Sequence, residues 1–351
     1  MYNVLTLNKI AACGTDLLDK SKYTVTDDAA ANADAILVRS ASMHEMELPG
    51  NLLAIARAGA GVNNIPIDKC TEKGVVVFNT PGANANAVKE LVIAGLLLSS
   101  RKIPAAMDWI KTLKGKGDEV GKLVEKGKSQ FVGPEIMGKK LGVIGLGAIG
   151  ILVANAAAEL GMDVYGADPY LSVENALKLS GKVHYVKSNK EIFEKCDYIT
   201  LHVPALPDTK GMINAEAIAS MKKTVRLLNF ARDTLVDEKA IIDALANGGM
   251  ACYVTDFATD GLIGLDGVVA MPHLGASTPE SEDNCAVMAV REIVDYIENG
   301  NIRNSVNLPN VEMAISGNAK ICVIHKNAEG LLNNITAPVS AAGLNLSLIH
   351  I

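Results

Sequence analysis

The run Gly145-Leu-Gly-Ala-Ile-Gly150 constrains this chain more than any other feature of its sequence. It follows the apolar stretch 141–144 and opens a helix-compatible stretch, 151–160, that ends at Gly161. Glycines in this register have separate uses. The first permits a tight turn, the second lets the backbone approach a pyrophosphate, and the third lets helix and strand pack closely. The amino end of the following helix offers unpaired N–H groups and a partial positive charge to the same anion. Asp168 lies 23 residues after Gly145, at the end of the apolar run Val164-Tyr-Gly-Ala. An acid there accepts hydrogen bonds from an adenosine ribose and repels a 2′-phosphate, which favours NAD over NADP. The bland alternative is a plain strand-to-helix turn with Asp168 as a cap before Pro169. Strand, helix and acid in one register favour the dinucleotide reading.

The surrounding chain has the rhythm of an α/β protein. Short apolar runs at 34–39, 53–56, 75–78, 140–145, 163–168, 198–202, 225–229, 250–254 and 267–270 read as strands, with helical spacing between most of them. Such repetition implies a doubly wound parallel sheet covered on both faces. A length of 351 residues gives room for about two domains. A boundary is expected between the helical stretch 84–100 and the Lys- and Gly-rich segment 111–128. Six lysines there (Lys111, Lys114, Lys116, Lys122, Lys126, Lys128) are interleaved with Asp118, Glu119 and Glu125, as on a solvated interdomain surface.

Composition excludes several classes of function. A net charge of -6 provides no field for phosphate backbones or anionic lipid, so no nucleic-acid partner is expected. The longest apolar run, 91–98, is far below the ~20 residues of a membrane span, so no membrane association is expected either. No secretory leader is recognisable at the amino end, which points to the cytoplasm. The six cysteines are scattered without metal-ligand spacing, as in a reduced intracellular enzyme, and no metal site is expected.

Hydride chemistry at a hydroxy acid needs a cation for the carboxylate, a proton acceptor at the hydroxyl and a group that tunes it. Arg232, in Asn229-Phe-Ala-Arg-Asp, follows a strand, and ligands of open α/β sheets bind at strand carboxyl ends. Its guanidinium can grip a carboxylate in two places, although an isolated arginine is more often structural. His273, in Pro272-His-Leu-Gly-Ala-Ser-Thr278, is the preferred proton shuttle, with His202 a close competitor because it also ends a strand. Asp260 is the nearest acid before His273 and would favour the imidazolium if the two met.

Four motifs, Gly145-Leu-Gly-Ala-Ile-Gly150, His202-Val-Pro204, Asn229-Phe-Ala-Arg232 and Pro272-His-Leu-Gly-Ala-Ser-Thr278, in that order and spacing, closely resemble the D-isomer-specific 2-hydroxyacid dehydrogenases. The resemblance covers about residues 1–310. Within it, Arg39-Ser-Ala, Arg57-Ala-Gly-Ala-Gly-Val-Asn-Asn64 and Asn79-Thr-Pro-Gly-Ala-Asn84 resemble the substrate side of members that oxidise 3-phospho-D-glycerate to 3-phosphohydroxypyruvate, the first step of phosphorylated L-serine biosynthesis. Sibling members keep the mechanism and act on glyoxylate, hydroxypyruvate or D-lactate, and the same fold also serves non-catalytic NAD-sensing scaffolds.

The resemblance implies a Rossmann-type NAD domain at 99–274 and a discontinuous, flavodoxin-like substrate domain at 1–98 and 275–310, assembled as a homodimer or higher homo-oligomer. It assigns catalysis to Arg232, His273 and Asp260. The family usually has Glu at this last position, and the shorter Asp must close any dyad by a backbone shift or through water. Cofactor contacts fall on Gly145, Gly147, Ala148, Ile149, Gly150, Asp168, His202, Val203, Pro204, Thr209, Ala231, Arg232, Asp256 and His273. Substrate contacts fall on Arg39, Ser40, Arg57, Ala60, Gly61, Val62 and Asn84. A phosphorylated 2-hydroxy acid needs more than one cation, and Arg39 and Arg57 both end buried-looking runs. Residues 317–351 resemble the first strand, helix and second strand of an α+β ACT domain. Half of such a unit leaves sheet edges unpaired and is expected to be poorly ordered.

Overall fold

The computed structural model describes residues 1–28, 32–315 and 317–346. The chain divides into two compact units, Met1–Asn84 with Thr278–Ile351, and Ala85–Ser277.

The first unit is built on strands β1 (Tyr2–Leu7), β2 (Tyr23–Thr26), β3 (Ala35–Val38), β4 (Ala54–Arg57) and β5 (Val76–Phe78). They pair in parallel in the order β2-β1-β3-β4-β5, the flavodoxin-like order. β3 and the first three residues of β4 are fully buried, which explains their continuous apolar sequence. β1 and β2 carry exposed and polar positions and were not recognisable as buried runs. The helix Pro279–Asn299 packs Cys285, Ala289, Val290 and Ile293 against the core residues Val4, Leu37, Ala56 and Phe78. Its boundaries follow from local chemistry. Thr278 Oγ1 accepts the Ser281 N–H at 3.1 Å, Pro279 occupies the first turn, and Gly300 ends the helix at φ +63°.

The second unit carries β6 (Lys140–Ile144), β7 (Asp163–Ala167), β8 (His184–Tyr185), β9 (Tyr198–Leu201), β10 (Arg226–Asn229), β11 (Cys252–Thr255) and β12 (Val268–Ala270). All are parallel, in the order β12-β11-β10-β9-β6-β7-β8. The chain leaves β6 toward β7 on one side and returns to β9 on the other, so a topological switch point, where such sheets bind ligands, lies between β6 and β9. Two apolar clusters, one on each face, sandwich the sheet.

The boundary between the units falls at Asn84 and not at residue 98. The helix Ala85–Arg101 belongs to the second unit because Val88, Val92 and Leu96 are buried among Leu141, Ala154, Leu228 and Val254. The Lys-rich segment also lies within the second unit. Its helices Ile103–Lys111 and Val120–Gly127 bury no residue, and Lys111 and Lys128 pair locally with Asp108 and Glu125.

The strand expected at 319–325 does not form. Ile321, Val323 and Ile324 are exposed, and the segment pairs with no strand among the described residues. The helix expected next is present at Leu331–Ala341. Of the second expected strand, residues 344–346 are irregular and 347–351 lie outside the described residues.

Glu292 is 9% exposed within the helix Pro279–Asn299. Its Oε1 accepts the Asn304 Nδ2–H at 2.7 Å, and its Oε2 is buried without a hydrogen-bond partner among the described residues. Burial pushes its carboxyl up to about 8. An unfolded chain releases this proton near the ordinary carboxylate value, so between that pH and about 8 the folded chain binds more protons and loses stability as pH rises. Glu292→Gln should therefore gain on the parent by ~1–3 kcal/mol between pH 5 and pH 9. Thermal melts of both proteins across that range measure this, and a constant difference would refute it.

Candidate active site

The chemistry-bearing residues of the second unit gather at the carboxyl ends of its strands. Gly145 follows β6, Asp168 follows β7, His202 follows β9, Arg232 lies beyond β10, Asp256 follows β11 and His273 lies beyond β12. Parallel strands all present the same end, so residues scattered over more than a hundred positions reach one edge.

The three motif glycines behave differently. Gly145 has φ +93°, and a Cβ there would stand 2.6 Å from the His202 carbonyl oxygen. At Gly150 a Cβ would stand 1.9 Å from the Gly145 carbonyl oxygen, closer than any side chain permits. At Gly147 a Cβ would meet nothing within 4 Å. Gly147 is the N-cap of the helix Ala148–Glu159, which no side chain caps. Open space beside uncapped N–H groups at Ala148 and Ile149 fits a pyrophosphate.

Asp168 supports this loop. Its Oδ2 accepts the Leu146 N–H and its Oδ1 the Tyr170 N–H, both at 2.8 Å. Each oxygen retains a lone pair for a ribose hydroxyl. On the other side, Thr209 Oγ1 donates to the Pro204 carbonyl at 2.6 Å and accepts the Leu206 N–H at 2.8 Å, bracing the turn after Val203.

The two competing histidines separate here. His202 donates its main-chain N–H to the Ile144 carbonyl, and its ring Nε2 lies 3.0 Å from Thr200 Oγ1. Burial pushes its imidazole down to about 3, so it stays neutral and poorly basic near pH 7. His273 is exposed, at φ +55°, with its ring edge-on to Phe257 at 5.1 Å. Its N–H donates to the Asp256 carbonyl oxygen at 3.0 Å. The Asp256 carboxylate is 2% exposed and accepts the Leu274 N–H at 2.7 Å and the Gly275 N–H at 2.8 Å.

Arg232 is exposed and donates Nη1–H to the Ala231 carbonyl at 2.6 Å. Its loop is held by Asn229, fully buried, which donates to the Arg232 carbonyl at 2.8 Å and accepts the Ala231 N–H at 3.2 Å. β10 and β12 flank β11, so their ends are roughly 10 Å apart. Asp260 is exposed, and no hydrogen bond or ion pair joins it to His273 among the described residues. The expected ring-to-carboxylate dyad is not formed.

In the first unit the expected substrate residues also follow strands: Arg39 and Ser40 after β3, Ala60, Gly61 and Val62 after Arg57 at the end of β4, and Asn84 beyond β5. Arg57 Nε–H donates to the Arg39 carbonyl at 3.1 Å, while the Arg39 guanidinium pairs with Glu282 at 2.7 Å. Three asparagines hold these loops; Asn64 and Asn79 stand in the substrate-side motifs without a role of their own assigned from sequence, and Asn8 was missed. Asn8 Oδ1 accepts the Ser40 and Ala41 N–H groups at 3.0 and 2.7 Å. Asn64 donates to the Ala41 carbonyl at 2.8 Å, and Asn79 to the Ala60 carbonyl at 2.6 Å. The only sequence signal of Asn8 is position, an Asn directly after the last residue of β1.

Residues 93–275 match the family model described as D-isomer specific 2-hydroxyacid dehydrogenase, NAD binding domain. The chain is 34% identical over 326 residues to D-3-phosphoglycerate dehydrogenase of Bacillus subtilis, matching 88% of this chain and 59% of that protein. It is 33% identical over 314 residues to the enzyme of the same name from Haemophilus influenzae, matching 86% of this chain and 73% of that one. A crystal structure of NAD+-bound 3-phosphoglycerate dehydrogenase from Entamoeba histolytica superposes with a TM-score of 0.69 at 28% identity, covering 88% of this chain and 99% of that one. The match to the Bacillus protein thus spans less than two thirds of that relative's length.

The glycine geometry gives a test. Gly147→Ala should change stability by less than ~1 kcal/mol and weaken NAD binding about tenfold or more, because its methyl enters the open space. Gly150→Ala should lower stability by ~3 kcal/mol or more, through the clash with Gly145. Calorimetric titration with NAD and thermal melts distinguish the two, and unchanged NAD affinity in Gly147→Ala would remove this loop as the pyrophosphate cradle.

Strand-end chemistry, a glycine loop with one face open, a family model covering more than half of the chain, and several relatives above 30% identity converge: this chain belongs to the D-isomer specific 2-hydroxyacid dehydrogenase family.

Proposed function

We propose that the chain is an NAD-dependent dehydrogenase that oxidises 3-phospho-D-glycerate to 3-phosphohydroxypyruvate, the entry step of phosphorylated L-serine biosynthesis, in the cytoplasm. The observation that carries the reading is the presence of Arg232 and His273 beyond β10 and β12, in the sheet whose β6 ends in the glycine loop.

When bound, NAD supplies an acceptor for the hydride that leaves C2 of the substrate. The main-chain N–H groups of Ala148 and Ile149 hold its pyrophosphate, and Asp168 takes the adenosine ribose. The neutral imidazole of His273 accepts the C2 hydroxyl proton. Arg232 has guanidinium donors beyond the one given to Ala231, and with them it grips the substrate carboxylate and opposes negative charge at the C2 oxygen. His202 packs at the loop as a neutral ring and takes no proton.

Phosphate recognition is assigned to Arg39 and Arg57 of the first unit, with Ser40, the main chain at Ala60, Gly61 and Val62, and Asn84. The Arg39–Glu282 pair is exposed on both sides and worth no more than ~1 kcal/mol, so Arg39 can exchange that partner for a phosphate. The homo-oligomer implied by the resemblance would cover Met107, Ile110, Val132 and Met137 of the second unit, all strongly exposed apolar side chains.

A substrate panel tests the proposal. Following NADH absorbance, kcat/KM for phosphohydroxypyruvate should exceed that for hydroxypyruvate, glyoxylate and pyruvate by about a hundredfold or more, the margin expected when groups placed to bond a phosphate meet a substrate that lacks one. Arg57→Gln should erase most of that margin and leave hydroxypyruvate reduction nearly unchanged. His273→Asn should lower kcat by ~10²–10⁴ while NADH still binds. Equal preference across the panel would overturn the substrate, and an active His273→Asn the mechanism.

A further inference from the structure

Among the described residues of the first unit, Glu292 is the only acidic or basic side chain that is buried. It has a single hydrogen-bond partner there, the Asn304 amide at 2.7 Å, and its second oxygen has none. Burying a carboxyl with one oxygen unpaired costs stability that an apolar side chain at the same helix position would not. Burial holds the group protonated at neutral pH, so no bare charge is left in the interior. What remains for this acid to do is to hold Asn304.

Asn304 leads to the substrate loops. It stands at φ +56°, in the left-handed region, which a residue with a Cβ keeps only where its surroundings impose it. Its carbonyl accepts the Asn79 N–H at 3.3 Å. Asn79 follows β5, and its Nδ2–H donates to the Ala60 carbonyl at 2.6 Å, while the next residue, Thr80, donates its N–H to the Gly59 carbonyl at 3.2 Å. The residues after Asn304 are tied along β5, the last strand of its sheet. Phe78 bridges to Ser305, the Val306 N–H donates to the Val77 carbonyl at 2.9 Å, and Asn307 Oδ1 accepts the Val77 N–H at 2.9 Å. A buried acid, a left-handed asparagine and a strand exit thus form one chain of hydrogen bonds ending on the loop of Ala60, Gly61 and Val62, and every bond in it joins residues of the first unit.

We propose that Glu292 is a positioning residue for the substrate phosphate: by fixing the Asn304 side chain it sets the exit of β5 and, through Asn79, the main chain at residues 60–62 that receives the phosphate. The proposal rests on the assignment of that loop to phosphate recognition. Glu292 acts through these bonds, so it bears on how tightly the phosphate is held and not on the hydride step.

Substitutions at both ends of the first bond test it in the full chain, with NADH absorbance followed at neutral pH. Glu292→Leu fills the space and removes the acceptor. It should raise KM for phosphohydroxypyruvate about tenfold, the scale of one displaced hydrogen bond to the substrate, with kcat and KM for hydroxypyruvate each within about twofold of the parent. Glu292→Gln keeps an oxygen for Asn304 and should hold KM for phosphohydroxypyruvate within about twofold of the parent. Asn304→Gly accepts the same backbone conformation but lacks the amide, and should raise this KM as Glu292→Leu does. The double variant should exceed either single by no more than about twofold, because both cut one bond. If Glu292→Leu does not fold, Asn304→Gly set against Glu292→Gln makes the same comparison. General structural damage would instead lower the active fraction, and so kcat, toward both substrates without splitting their KM values. Parental KM in Asn304→Gly, equal losses toward both substrates, or a tenfold higher KM in Glu292→Gln would overturn the proposal. A parent enzyme without preference for phosphohydroxypyruvate over hydroxypyruvate would instead overturn the substrate reading on which it rests.

Discussion

Parallel pairing of β6 with β7 on one side and β9 on the other is the constraint on which the second unit depends. Parallel strands cannot be joined by tight turns, so each connection must cross a face of the sheet and cover it. Because the connections run to opposite sides of β6, apolar clusters form on both faces and the loops part at its carboxyl end. The approach of Gly150 to the Gly145 carbonyl, and of Gly145 to that of His202, closes this junction so tightly that neither glycine can carry a side chain. Gly147, in the same loop, faces open space, so one short segment combines a packed base with an approachable rim.

A second regularity is how the loops beyond the strands are held. They have little apolar surface to bury, and in both units a short polar side chain bonds their peptide groups instead. Asp168, Asn229 and Asp256 do so in the second unit, and Asn8, Asn64 and Asn79 in the first. Asn and Asp suit the task because their oxygens accept peptide N–H bonds at short range, and the Asn amide also donates to a carbonyl. The exposed groups assigned to chemistry, Arg232 and His273, thus stand on polar scaffolds that leave their outer ends accessible.

Much of the fold was legible wherever burial is two-sided. β3, β6, β9 and β11 are almost wholly buried and read as continuous apolar runs. β1 and β2, with polar and exposed positions, and the two-residue β8 left no such trace. The helix Ala85–Arg101 was legible as a helix but not as part of the second unit, because that depends on which core receives Val88, Val92 and Leu96. The segment 319–325 shows the converse: an apolar run with strand character stays irregular when it pairs with no strand among the described residues. Among the site residues, Gly145, Gly147 and Gly150 were readable because their steric role is local. The choice between His202 and His273 was not, since it turns on burial of the ring.

By itself the sequence determined the repeating α/β units, the glycine loop with its acid and the candidates Arg232 and His273, because periodicity and local steric demand are written in neighbouring residues. Tertiary structure alone decided that Asp256 bonds the peptides after His273, that Asp260 stays apart from the imidazole, and that one histidine is held neutral while the other remains exposed. Those outcomes depend on hydrogen bonds and desolvation between segments distant in sequence, and no spacing along the chain encodes the direction in which a side chain finds its partner.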